Sequence, residues 1–513
     1  MERFLQRHRS RIQGVLSGFD RLLFRGTLRS ISYREGLEIF LSTQRVLIKD
    51  FSRFAQHISN RLKDHAEQFA REHGRPLVYL SSPRVSKEDW ARAIQNRDAI
   101  REGLVCVFTC VEPCQSVEVH RNPDSKHLEL RPRERKCLHI YYYFADREFG
   151  LMHVRLQTWL PMSIQVCVNG REYLARQMDR EGIGYEQRDN CFVAIDDLPR
   201  AQELLDRLTT KRWQGMLGRL AERVNPWVRP EMGLDLHGYY WSVRQGEYAT
   251  DVMFRDKQAL QEIYPELVRH ATQHFSCRDC LRFLGRRTNC RFNGEVKTHL
   301  AEREEGVRIK HWVEENSIKM YDKQAVVLRI ETTINNPRRF KVRRMTTRKG
   351  VRRLGWLPLR RGIADMVRRV EISRAANERY LEALAVVGQS APTHEILDPV
   401  QRRITRQGRP YRALRPLTLE EIKVFTALQQ GEHHLQGFRN ADVRRFVYPA
   451  DDRSPHRRRR AAGRVTRWLR LLRAHRLIRK VPHTHYYRIT PTGQLLMSAA
   501  KNLRETDLAA LAS

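Results

Sequence analysis

The apolar pattern between positions 418 and 501 constrains this chain more than any other feature. Leu419, Ile422, Val424, Phe425 and Leu428 recur at helical spacing, with Gly431 as a stop signal. Thr418 and Glu421 have capping-box spacing at the start. A short second helix is predicted over 440–446. A third, over 463–475, turns Val465, Trp468, Leu469, Leu471 and Leu472 to one side and Arg464, Arg467, Arg470 and Arg473 to the other. Leu477, Ile478 and Val481 lead into Pro482-His483-Thr484, and Tyr486, Tyr487 and Ile489 return, which reads as a hairpin. Pro491-Thr492-Gly493 then opens a closing helix through Leu495, Leu496 and Met497.

Three helices, a hairpin and a closing helix make a winged helix-turn-helix. Its third helix enters the major groove of duplex DNA and its wing lies near the backbone. Between Phe438 and Thr490 there are sixteen Lys/Arg against three Asp, a balance suited to phosphate. The residues expected on DNA are Arg464, Arg467, Arg470 and Arg473 from the helix and Arg479, Lys480 and Arg488 from the wing. Arg457, Arg458, Arg459 and Arg460 would hold the adjacent phosphates.

The rest of the chain shares the charge. Over 513 residues the formal net charge is +36, a self-repulsion most naturally relieved by a polyanion. No stretch of 18 apolar residues occurs, so a bilayer span and a membrane partner are not expected. Met1 to Arg7 lacks the apolar core of a signal peptide, and nine cysteines in so long a chain are no disulfide framework. The expected location is cytoplasmic. A second basic cluster, Arg338-Arg339, Lys341, Arg343-Arg344, Arg348-Lys349, Arg352-Arg353 and Arg360-Arg361, implies contact with single-stranded DNA or RNA through the body as well.

The expected fold class is α+β. Residues 1–100 read as mainly helical, 101–387 as an α+β body, 388–416 as a polar linker and 417–513 as the winged helix. Within this frame, 14–30 reads as a strand pair with Asp20 and Arg21 near its turn, or as a helix start. Residues 76–80 read as a buried strand, and 86 onward as a helix through Trp90 and Ile94. The order strand, helix, strand, helix across 103–208 fits a split βαβ layer with helices on one side. In it, 185–195 reads as one strand. Residues 213–264 read as helical and 295–344 as β-rich.

Chemistry concentrates at 316–334. Both halves alternate, so two half-buried strands are predicted, joined by a three-residue loop at Gln324-Ala325-Val326. That register sets Tyr321 opposite Arg329 and Lys319 opposite Glu331. Lys319, Tyr321, Lys323, Arg329, Glu331 and Thr333 then share one face. A potential nucleophile, cations and a carboxylate able to hold Mg²⁺ or Mn²⁺ would lie together, and Tyr321, Glu331, Lys319 and Arg329 are the candidate catalytic residues. The duller reading is a solvated face with a cross-strand Lys–Glu pair. Glu247 and Asp251, four apart, would project from one face of a helix. Asp20, Asp235 and Glu331 have no diagnostic spacing. Cysteine raises zinc twice: Cys110, Cys114, Cys137 and His139 offer four donors if their strands pair, whereas Cys277, Cys280 and Cys290 lack a fourth. Phosphate-loop, dinucleotide, nucleophile-elbow and HExxH motifs are absent from the sequence.

Three resemblances bear on these residues. Arg464-Val465-Thr466 through Leu472, with Leu477-Ile478-Arg479-Lys480 through Ile489-Thr490-Pro491, resembles the winged helix of MarR-type regulators, which implies duplex DNA binding. Tyr321-Asp322-Lys323 with Leu328-Arg329-Ile330-Glu331 resembles a strand pair in phage and plasmid rolling-circle replication initiators. That likeness implies tyrosine attack on a DNA phosphodiester assisted by a divalent metal. Its His-hydrophobic-His motif has no counterpart here, since the sole His-x-His is His483-Thr484-His485; a metal would rest on carboxylates such as Glu331, Asp322, Glu247 or Asp251. Gly18-Phe19-Asp20-Arg21, Cys110-Val111-Glu112-Pro113-Cys114, Val168-Asn169-Gly170-Arg171-Glu172 and Lys319 to Asn335 resemble an uncharacterised bacterial family associated with mobile elements. The functions in view are a duplex-binding regulator or mobile-element factor, a metal-dependent nicking or strand-transfer enzyme, and a non-catalytic RNA- or nucleoprotein-organising factor.

Overall fold

A computed structural model describes residues 1–234, 236–286, 294–303, 306–348, 350–385, 387, 393–429, 437–482 and 484–505. Asp235, Cys290, Lys349, Gly388, Gly431 and His483 lie outside them. The chain forms two compact units. The larger comprises His8–Glu262 and Lys297–Glu378; the smaller comprises Met1–Arg7, Ile263–Val296 and Arg379–Ser513. No described helix is long and apolar enough to cross a membrane.

An 11-stranded sheet organises the larger unit. Its strands are β1 (Ile12–Thr27), β2 (Leu77–Leu80), β3 (Gly103–Arg121), β4 (Leu128–Asp146), β5 (Gly150–Gln157) and β6 (Ile164–Asn169). A separate hairpin, β7 (Tyr185–Arg188) with β8 (Cys191–Ile195), precedes β9 (Tyr240–Phe254), β10 (Val296–Arg303), β11 (Gly306–Val313), β12 (Asn316–Lys323) and β13 (Val327–Ile334). The order is β10-β11-β12-β13-β9-β1-β6-β5-β4-β3-β2. Among the described pairings only β2 with β3 is parallel.

This mixed α/β architecture departs from the split βαβ layer. After β6 the chain makes a helix and then the β7–β8 hairpin, which forms its own two-stranded sheet; the expected single strand is broken by Asp189 at φ 51°. The segment from Gly14 to Thr27 belongs to one strand, not a pair, with Phe19, Leu22 and Phe24 in the core, and Arg29–Ile31 is a short 3-10 helix. Residues 240–254 are strand, not helix, as their Trp, Val, Tyr and Phe content favours. β2 is an edge strand with Leu77 and Tyr79 exposed.

Packing fixes the centre. The helix Phe51–Glu72 buries Ala55, Ile58, Leu62, Ala66 and Phe69 at helical spacing, and Phe69 meets Tyr142 edge-on at 5.8 Å. The helix Gly170–Glu181 is capped by Asn169, whose side chain accepts from the amides of Arg171 and Glu172. Gly170 is required there: an added Cβ would lie 1.8 Å from the Phe19 carbonyl oxygen. Both strand faces of β13 are covered, and all eight of its residues are buried.

In the smaller unit, helices Leu419–Leu428, Asn440–Val447 and Pro455–Ala474 precede the hairpin Ile478–Lys480/Tyr487–Ile489 and the helix Pro491–Glu505. Val424, Phe425, Val443, Val465, Leu469, Leu472, Leu477 and Leu496 share one core. The third helix starts eight residues earlier than expected: Pro455 suits a first helical position, and four arginines sustain the turn before Gly463. Thr418 is an N-cap without a side-chain cap; Glu421 instead bonds Arg412 Nη1 (2.9 Å) and the Arg415 amide (2.8 Å). The described part of the expected linker, 393–416, is largely structured. Thr393–Leu397 is helical, Ile404–Arg406 pairs with Arg409–Tyr411, and Leu397, Val400 and Leu414 enter the core.

Candidate metal centre

The register between β1 and β9 skips one residue: Phe19 faces Tyr248, yet Arg21 faces Glu247. Asp20 is the extra residue of a β-bulge, a device that re-aims a side chain. Its carboxylate meets those of Glu247 on β9 and Glu331 on β13, with one oxygen of each within 4.8 Å of the others. Asp20 and Glu331 are buried and Glu247 is partly so. Oxygen donors from three adjacent strands are what a hard divalent cation takes. The carboxylates line a cleft of about 140 Å³ with Lys319, Tyr321, Lys323, Arg308 and Asn190.

β12 and β13 continue this side of the cleft. Tyr321 pairs with Arg329 and Lys319 with Glu331, across a three-residue loop in which Gln324 and Ala325 take φ of 57° and 59°. Tyr321 donates its hydroxyl to Glu331 Oε2 at 2.8 Å, and Lys319 Nζ lies 2.7 Å from Glu331 Oε1. Burial, and then Glu331, push the Tyr321 phenol well above its ordinary range. Burial, then Lys319, hold Lys310 on β11 down at about 8. Asp322 is pushed up to about 6 by burial.

Arg329 has a different place from the one expected. It is fully buried, and its guanidinium bonds Asp251 (2.6 and 2.8 Å), Asp20 (3.2 Å) and the Asn190 carbonyl (2.7 Å). Arg171, also fully buried, reaches Asp251 at 2.8 Å. Burial opposes the Asp251 charge, but Arg171 and Arg329 outweigh it and hold the carboxyl below its usual range. Asn190 donates to both Asp20 oxygens, at 2.8 and 3.0 Å. Arg329 is therefore a positioning residue for Asp20. The predicted solvated face does not form, since Arg329, Glu331 and Thr333 are all buried.

Of the sequence-derived candidates, Tyr321, Glu331 and Lys319 converge, and Glu247 joins them from a strand rather than a helix. Asp251 serves the ion network, and Asp322 lies on the cleft wall. Asp20 and Asn190 carry no assignment from spacing, although an acid inside the apolar run of β1 breaks local consistency and marks a site. Among the described residues, no three of Cys110, Cys114, Cys137 and His139 come together as metal donors. Cys110 faces His139 and Glu112 faces Cys137, and the four are buried. Cys280 is buried on a helix while Cys277 is exposed. In the smaller unit Arg457 to Arg460, Arg464, Arg467, Arg470, Arg473, Arg479, Lys480 and Arg488 are all exposed.

Burial, and then Glu331, hold the Glu247 carboxyl above its usual range. Its ionisation therefore costs the fold stability, increasingly as pH rises from the ordinary carboxylate value through its own raised one. A divalent ion would relieve that cost. Mg²⁺ or Mn²⁺ should raise thermal stability at pH 8, by about 2.7 kcal/mol at a hundredfold excess over Kd, and far less at pH 5. Glu247→Gln should remove the increment in differential scanning fluorimetry; an equal increment in that variant would exclude Glu247 as a ligand.

Comparison with protein-family models, curated proteins and solved structures finds no match.

Proposed function

We propose that this chain docks on duplex DNA through a C-terminal winged helix and nicks or transfers a DNA strand with a divalent metal at Asp20, Glu247 and Glu331. The observation that carries the reading is the convergence of these three carboxylates beside Tyr321 and Lys319 in one cleft. A Mg²⁺ or Mn²⁺ ion held there would polarise a phosphodiester. Tyr321 would attack phosphorus, forming a phosphotyrosyl bond as the bond to the leaving sugar oxygen breaks. Its proton passes to Glu331, and the leaving oxygen takes one from water or Lys319. Conversion of supercoiled plasmid to open circles with Mn²⁺ or Mg²⁺, stopped by chelation, tests this; intact plasmid under every condition would remove the enzymatic half.

The docking half is supported by the order of elements in the smaller unit and by its exposed arginines. Phe438 bridges to Tyr487, tying the wing to the segment before the second helix. Replacing Arg464, Arg467 and Arg470 with Ala in the full chain should weaken duplex binding. The slope of log K against log salt should fall by about 0.9 for each phosphate no longer neutralised. An unaltered slope and affinity would remove the third helix from the DNA surface.

A second reading, a duplex-binding protein without chemistry, is favoured by the Lys319–Glu331 pair at 2.7 Å, which already neutralises one carboxylate. The plasmid assay separates the two.

A further inference from the structure

The polar face that carries the carboxylates continues along the sheet into a cluster of arginines. A cross-strand row runs Arg155 on β5, Gln165 on β6, Arg25 on β1 and Ser242 on β9. Ser242 bridges to Gly362, and the Arg361 carbonyl accepts from the Val243 amide at 2.8 Å. Directly paired residues share a sheet face. Arg21, Leu23 and Arg25 alternate with Leu22 and Phe24, which belong to the core on the other side. Arg21 is paired with Glu247, so Arg25 lies on the carboxylate face.

A second bulge builds this cluster as the first builds the metal centre. Leu23 faces Gln245 but Phe24 faces Val243, leaving Arg244 as the extra residue of β9. The Gln165 side-chain oxygen, in the orientation its neighbours require, accepts from Arg244 Nη1 (2.5 Å) and Arg155 Nη1 (2.9 Å). Arg155 is balanced by Glu112 at 2.8 Å. Among the described residues Arg25, Arg244 and Arg361 are in no ion pair, and the buried Arg25 Nε has no hydrogen-bond partner. Burial, and then the neighbouring arginines, lower the pKa of both Arg25 and Arg244. The unneutralised guanidinia of Arg25 and Arg244, gathered beside Gln165 on one sheet face, are built for an anion.

We infer that Arg25 and Arg244 seat a backbone phosphate of the nucleic-acid strand whose reacting phosphodiester lies further along that strand, at Asp20, Glu247 and Glu331. Arg25 is five residues from Asp20 and Arg244 three from Glu247, so at ~3.3 Å per residue the two sites are roughly 10–16 Å apart. One extended strand along the sheet face reaches both. The inference rests on the proposed action on nucleic acid but not on any metal.

The test is binding of a labelled single-stranded oligonucleotide to the full chain in EDTA, carried out in the Arg464→Ala, Arg467→Ala, Arg470→Ala background. Arg25→Gln with Arg244→Gln should weaken binding at least about tenfold and lower the salt slope by about 0.7, the value for one single-strand phosphate no longer neutralised. Arg25→Lys with Arg244→Lys, which keeps the charge, should retain most of the slope, and an unchanged melting temperature in both variants separates the effect from misfolding. Wild-type affinity and slope in the glutamine variant would overturn the inference. Displacement of the oligonucleotide by submillimolar inorganic phosphate would also overturn it, assigning the cluster to a small anion. Loss of binding in a chain that never nicks plasmid would uphold the phosphate seat and reject the metal chemistry.

Discussion

Arg329→Met should destabilise the larger unit by about 3–5 kcal/mol, the scale on which breaking a buried ion pair from one side acts. The side chain is fully buried and holds Asp251 through two bonds, Asp20 through a third and the Asn190 carbonyl through a fourth. Without it Asp251 keeps one counter-charge, Arg171, and Asp20 keeps Asn190 as its close donor. Arg329→Lys should recover only part of the loss, because an ammonium cannot span Asp251 and Asp20 with a planar fork. Adding Asp251→Asn to Arg329→Met should cost less than the two changes summed, since the second removes the charge that the first orphans. Chemical denaturation read by tryptophan fluorescence measures all three. A midpoint for Arg329→Met equal to that of the unaltered chain would show that the network contributes nothing.

That network is half legible in the sequence. Alternation over 316–334 and a three-residue loop specify the pairing of Tyr321 with Arg329 and of Lys319 with Glu331, because a one-residue slip would invert every side chain. Alternation is local, however, and cannot say what covers a face. β9 is recruited from some eighty residues upstream and β1 from some three hundred, and they turn a seemingly solvated strand into a buried one. Glu247 and Asp251 share a face as expected but on a strand, since a spacing of four does so on both a helix and a strand; they then serve different clusters, Glu247 the carboxylates and Asp251 the buried arginines. The bulges at Asp20 and Arg244 leave no periodic trace, as each is a single skipped residue in a register set by tertiary pairing. In the smaller unit the helical spacing is plain. Leu397, Val400 and Leu414 are not recognisable as core, because each is an isolated apolar residue in a polar stretch that gains its burial only from the helices that follow.

Tyr321→Phe should abolish a covalent protein–DNA adduct and reduce nicking by a factor on the order of 10³–10⁶, the range seen when a nucleophile is removed. The hydroxyl is held by Glu331 at 2.8 Å, and in the metal-free protein burial and that carboxylate keep it protonated. A divalent ion held by Glu331 would offset that carboxylate's charge, which would lower the phenol's pKa and favour attack. Nicking should therefore rise with pH to a plateau in the unaltered chain, and any residual activity of Tyr321→Phe should lose that dependence. Glu331→Gln should lose nicking to a similar extent for another reason: it removes a metal oxygen and the proton acceptor while leaving the phenol in place. The two variants differ in metal response, since Tyr321→Phe should keep the stabilisation by Mn²⁺ and Glu331→Gln should not. Denaturing gels of single-stranded oligonucleotides with Mn²⁺ read the adduct directly. Nicking that persists at the original rate in Tyr321→Phe, with no adduct in either protein, would assign the attack to water and leave the carboxylates as the whole of the catalytic machinery.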